Sequence, residues 1–129
     1  MARKKSPTLT DAELKIMEVL WERRAATVGD VVAALSAERG WAYNTVLTFL
    51  RILEEKGYVQ HTKQGRAHLY HPATERTDAR RHALHHMVSR FFDGSPELLV
   101  QNLLEHESLT SDELTRIREL IDQTEGEES

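Results

Sequence analysis

The sequence predicts a mostly helical protein with one small β-hairpin: three helices and the hairpin in the N-terminal part, three more helices after them. Three observations carry this prediction. Apolar residues recur at three- and four-residue spacing along most of the 129 residues. Only 6 glycines and 3 prolines interrupt the chain, too few for a loop-rich or all-β protein. The β-like runs are confined to residues 58–62 and 67–71, which flank the short turn Lys63-Gln64-Gly65-Arg66.

Residues 1–8 are expected to form a disordered basic arm carrying Lys4 and Lys5. Thr10 and Glu13 then form a capping box, and Leu14, Met17, Leu20 and Trp21 set the apolar stripe of a first helix over 11–23. Thr27 caps a second helix, predicted over 28–38 from Val28, Val31, Val32 and Leu35, with Gly40 as its left-handed stop. A third helix over 43–56 buries Val46, Phe49, Leu50 and Leu53 and ends at Gly57; its start lacks a capping side chain, because Ala42 stands where Ser, Thr or Asp is favoured.

After the hairpin, Pro72 closes the second strand and Leu84, Met87, Val88 and Phe91 mark a helix over 77–92 that Asp93-Gly94 breaks. Ser95-Pro96 starts a short fifth helix with Leu98, Leu99, Leu103 and Leu104. Thr110 and Glu113 form another capping box for a sixth helix with Leu114, Ile117, Leu120 and Ile121, and residues 124–129 are expected to be a disordered tail.

Charge and composition narrow the function classes. The net charge is −4, but residues 1–72 sum to +3 and residues 73–129 to −7, an asymmetry that hints at a nucleic-acid-binding part joined to another part. The chain has no cysteine, which excludes disulfides, thiolate metal sites and cysteine nucleophiles. Its longest unbroken apolar run is Val31 to Leu35, so no membrane span or signal-peptide core is expected and a cytoplasmic location is the default. No Ser/His/Asp set, phosphate-cradling glycine loop or paired catalytic acids stand out, so no enzyme is expected.

Three helices followed by a hairpin is the order of a winged helix-turn-helix over residues 9–72, with a helical dimerisation domain over 73–123. In that fold the third helix enters the DNA major groove. Here its outward positions carry Tyr43, Asn44, Thr45, Thr48 and Arg51, where an ordinary solvent-facing helix would carry Lys and Glu. Lys63 and Arg66 on the hairpin are placed to meet phosphate. The expected partners are double-stranded DNA and a second copy of the chain; the competing reading is a winged-helix protein-interaction module without sequence-specific DNA binding.

The sequence resembles the penicillinase-repressor family, which includes β-lactamase, methicillin-resistance and copper-responsive repressors. The landmarks are the run Leu9 to Met17 with Trp21, Thr27 to Leu35, Trp41 to Thr48, Leu53 to Tyr58 and His68 to Pro72. The resemblance implies a homodimeric transcriptional repressor that binds an inverted-repeat operator through the positions of Thr45 and Thr48. It departs from the family at Ala42-Tyr43, where serine and proline are common. The resemblance also implies relief of repression by cleavage after an asparagine, prompted by a membrane sensor protease; the matching bond is Asn102–Leu103, with leucine where phenylalanine is common. The copper-responsive members use cysteine pairs, which this chain lacks.

Seven histidines remain: His61, His68, His71, His82, His85, His86 and His106. No cofactor and no metal are expected. His82 and His86, four apart on one helix face, are the pair that a metal-responsive regulator would use.

Overall fold

The computed structural model describes residues 8–128. The expected arm lies outside these residues except for Thr8. The order is α1 (Asp11–Arg23), α2 (Val28–Ala34), α3 (Tyr43–Lys56), β1 (Val59–Gln64), β2 (Ala67–Pro72), α4 (Arg76–Phe91), α5 (Pro96–His106) and α6 (Ser111–Glu128). This is the mostly helical fold with a single hairpin that the sequence predicts.

The N-terminal core is built from one face each of α1, α2 and α3, closed by Tyr58, Val59 and Tyr70 of the hairpin region and by Ala79 of α4. Met17, Leu20, Val46, Leu50 and Leu53 are fully buried, each contributing roughly 1.5–3 kcal/mol by leaving water. The α1 stripe differs from expectation. Leu14 is 38% exposed and Ile16 is fully buried in its place. The inward face runs through Glu13, Ile16, Met17 and Leu20, and a carboxylate at its first position hides it from an apolar count.

Capping fixes the helix starts. Thr10 and Glu13 exchange bonds of 2.9 and 3.2 Å at α1, and Thr27 and Asp30 exchange bonds of 3.0 and 3.1 Å at α2. α2 stops at Ala34, short of the expected 38. The Ser36 hydroxyl donates to the Ala33 carbonyl at 2.8 Å, a local bond that competes with a further helical turn. Gly40 does adopt the left-handed conformation, beyond those turns. α6 continues past the expected end at 123 through Gly126 to Glu128; one glycine costs a helix only about 1 kcal/mol, and the Thr124 hydroxyl bonds back to the Leu120 carbonyl.

β1 and β2 pair antiparallel from Val59 opposite Pro72 to Gln64 opposite Ala67. The turn is therefore Gly65-Arg66 alone, with Gly65 at φ 64°, the left-handed value that a two-residue hairpin opening on glycine requires. A stub of a third strand joins them. Ala26 and Tyr70 exchange backbone bonds of 2.9 and 2.8 Å, tying the hairpin to the link between α1 and α2. The sequence gives no alternation signal for a one-residue stub.

The chain forms two compact units that part inside α4, between Met87 and Val88, beyond the Pro72 boundary read from the sequence. The start of α4 is held in the first unit. The Trp21 indole Nε1 donates to the Thr74 carbonyl at 2.8 Å, and Arg24 pairs with Glu75 through two 3.0 Å bonds. The second unit holds the rest of α4, α5 and α6. Asp93 and Gly94 are left-handed, and the Ser95 hydroxyl caps Leu98 at 3.0 Å. No residue of α5 is buried, and Phe91, Leu104, Leu120 and Ile121 are each more than half exposed.

Candidate nucleic-acid interface

α3 is anchored by Val46, Leu50 and Leu53, which turns its opposite side outward. Asn44, Thr48 and Arg51 form an exposed ridge, and Tyr43 beside them is 56% exposed. The Thr48 hydroxyl donates to the Asn44 carbonyl at 2.9 Å. Its oxygen keeps acceptor capacity. Ala42 makes no side-chain cap, so the first α3 amides are left for another acceptor.

The structure brings Tyr43, Arg51 and Arg66 together on one cleft of about 340 Å³ between α3, the hairpin and the start of α2. Thr45 lies on the other flank of α3, half-buried beside Trp41 and Phe49. Lys63 is a correction to the expected turn. It sits on β1 opposite His68, and Arg66 alone of the two cations is on the turn, because that turn has two residues.

His68 lines the same cleft, and the sequence reading did not single it out. The available signal was the strand period: His68 and Tyr70 share one face of β2, and His61 and Lys63 stand opposite them on β1. That face is built up from α3. Glu54 holds His61 Nδ1 with both carboxylate oxygens at 2.8 and 2.9 Å, and the His61 ring stacks on His68 with centroids 4.5 Å apart. Burial pushes the Tyr70 phenol up, Glu54 adding to the rise and Arg51 opposing it, so it stays neutral beneath the pair.

The other predicted sites lie elsewhere. Asn102 and Leu103 are inside α5, where the Asn102 amide donates to the Leu98 carbonyl at 2.9 Å and Leu103 is 43% exposed. His82 and His86 share a face of α4, His82 exposed and His86 half-buried. Among the described residues no three His, Asp or Glu side chains gather to hold a metal ion. No helix among them is long and apolar enough to cross a membrane.

A three-helix core, an exposed polar ridge on the third helix and a hairpin tied back to the first interhelical link define a winged-helix protein. The chain belongs to the penicillinase repressor family, whose profile matches residues 9–123. It is 31% identical over 120 residues to the penicillinase repressor of Bacillus licheniformis, covering 93% of this chain and 94% of that one. It is 22% identical over 117 residues to the methicillin resistance regulatory protein MecI of Staphylococcus aureus strain N315, covering 91% and 95%. The solved DNA binding domain of the repressor BlaI matches at a TM-score of 0.51 and 36% identity, over 59% of this chain and 93% of that domain. Two of these relatives are repressors by name, and MecI is a regulatory protein by name.

Proposed function

We propose that the chain is a homodimeric transcriptional repressor that reads an inverted-repeat operator. The observation that carries this reading is the outward ridge of α3, with Asn44, Thr48 and Arg51 exposed beside the Arg66 turn, in a member of a repressor family. An α-helix fits the major groove, where amide, hydroxyl and guanidinium groups distinguish base edges. Tyr43, Asn44, Thr45 and Thr48 are assigned to the bases or the adjoining backbone. Arg51, Lys63 and Arg66 are assigned to phosphates. A DNA partner agrees with a cytoplasmic location, and no helix among the described residues is long and apolar enough to cross a membrane.

The second unit is assigned to dimerisation. Its helices leave Phe91, Val100, Leu103, Leu104, Leu120 and Ile121 exposed, a surface that a second copy would cover. Relief of repression is assigned to cleavage at Asn102–Leu103 by a protease under a membrane sensor, which requires α5 to unwind locally so that the bond can enter an active site.

The test is selection of sheared host DNA by the pure protein at physiological salt, followed by sequencing of what is retained. A short inverted repeat upstream of genes is the expected outcome. No enrichment at physiological or low salt would overturn the reading in favour of a protein-interaction module.

A further inference from the structure

A second cleft, of about 420 Å³, lies within the first unit between α1 and the start of α4. Its size falls in the range of small-molecule sites. Its walls are Leu9, Leu14, Trp21 and Ala83, and two guanidinium groups, Arg76 and Arg80, stand on its α4 side. The Arg76 guanidinium lies over the indole of Trp21, 5.3 Å from the ring centroid. Neither arginine makes an ion pair among the described residues. Glu18 also borders the cleft and leaves its lining with one net positive charge.

We propose that this cleft binds a small amphipathic monoanion, an aromatic carboxylate, and that binding weakens operator affinity. The aromatic ring would lie against Leu9, Leu14 and the indole, and the carboxylate would take the planar donors of Arg80 and Arg76. The charge of the cleft selects this occupant. The chain's own segment ahead of Leu9 carries Arg3, Lys4 and Lys5, which two unpaired arginines repel. The effect on DNA follows from position: α4 is the helix that leaves the DNA-reading unit, and its root is fixed to α1 by the same Trp21 that walls the cleft. A ring wedged there would act on that root. This coupling rests on the repressor reading above; the binding site itself does not.

The test uses the full chain and 1-naphthoate as probe, with neutral 1-naphthylmethanol as control. Calorimetry is expected to give one saturable naphthoate site per chain and at least tenfold weaker binding of the alcohol. Arg80→Gln, an exposed position, is expected to raise the naphthoate Kd at least tenfold. Ala83→Trp, which fills the cleft and keeps both arginines, should abolish binding. No saturable binding, equal binding of the alcohol, or indifference to both substitutions would overturn the site. Operator retention is then read with and without naphthoate. A severalfold loss in the wild type that Ala83→Trp removes supports the coupling; naphthoate bound with operator affinity unchanged overturns it. A protein that binds naphthoate and no DNA at all refutes the repressor reading while leaving the site intact.

Discussion

Lys56 Nζ lies 2.7 Å from Glu13 Oε1, with the two side chains only 13% and 3% exposed. The same Glu13 oxygen accepts the Thr10 amide at 2.9 Å, and Lys56 also donates to the Thr8 carbonyl at 3.3 Å. The last turn of the proposed reading helix is thereby locked to the capping box of α1. One carboxylate closes that cap and neutralises Lys56.

Lys56→Met is therefore expected to destabilise the fold by about 3 kcal/mol, because it leaves a buried carboxylate without its counter-charge. The double variant Lys56→Met with Glu13→Gln should recover much of that loss, since the amide still accepts the Thr10 amide and carries no charge. Urea unfolding measures both. A single variant as stable as the wild type would show that Glu13 is neutralised in some other way.

Thr48 and Arg66 separate two kinds of contact. Thr48→Ala is expected to weaken operator binding by about 1–3 kcal/mol and to leave non-specific DNA nearly unaffected, as loss of a base-edge contact does. Arg66→Ala should weaken both and flatten the salt dependence by about one unit, as loss of a phosphate contact does. Titrations at several salt concentrations decide. Equal losses for Thr48→Ala on both DNAs would reassign it to the backbone.

What the sequence made legible follows from how local each signal was. Capping boxes at Thr10, Thr27 and Thr110 and the glycine stop at Gly57 act within four residues, and α1 begins and α3 ends where those signals put them. The inward turn of Ile16 depended on Glu13 finding Lys56, 43 residues away, and no periodicity reports such a partner. The cleft showed the same divide. Tyr43 and Arg51 are eight apart on α3, about two turns, and were both singled out, whereas His68 reaches them through the Ala26–Tyr70 bridge and the Glu54–His61 contact. Thr45 falls on the far flank because two residues along a helix turn it away.

The exposed stripes of the second unit carry the dimer proposal. Leu120 and Ile121 are 61% and 51% exposed, so an aspartate at either position costs the single chain little. Leu120→Asp with Ile121→Asp is expected to yield a folded monomer by sedimentation, with unchanged helical circular dichroism. Its affinity for a full inverted repeat should fall to that for a half-site, because the two reading units no longer bind as one. A variant that still sediments as a dimer would move the interface to other residues.

The capping carboxylates set the acid limit. Asp30 is held below its ordinary 3.8 by hydrogen bonds with Thr27, backbone first and then hydroxyl, with Arg23 helping, and Glu113 is held below 4.5 by the same pair of bonds with Thr110, with Arg116 helping. A carboxyl group whose folded pKa is depressed stabilises the fold fully above its unfolded value, and that contribution is lost as pH falls through the folded value. Stability should thus be level down to about pH 5 and decline from there toward about pH 2. Both groups are solvent-exposed, so each share is small. Asp30→Asn and Glu113→Gln keep an oxygen that accepts the cap amide and remove the titration, so the urea midpoint of the double variant should fall less steeply with acid than that of the wild type. Parallel acid limbs would mean that the decline belongs to other carboxylates, with Glu75 beside Arg24 and Glu38 beside Lys15, both lowered chiefly by those hydrogen bonds, the next to substitute.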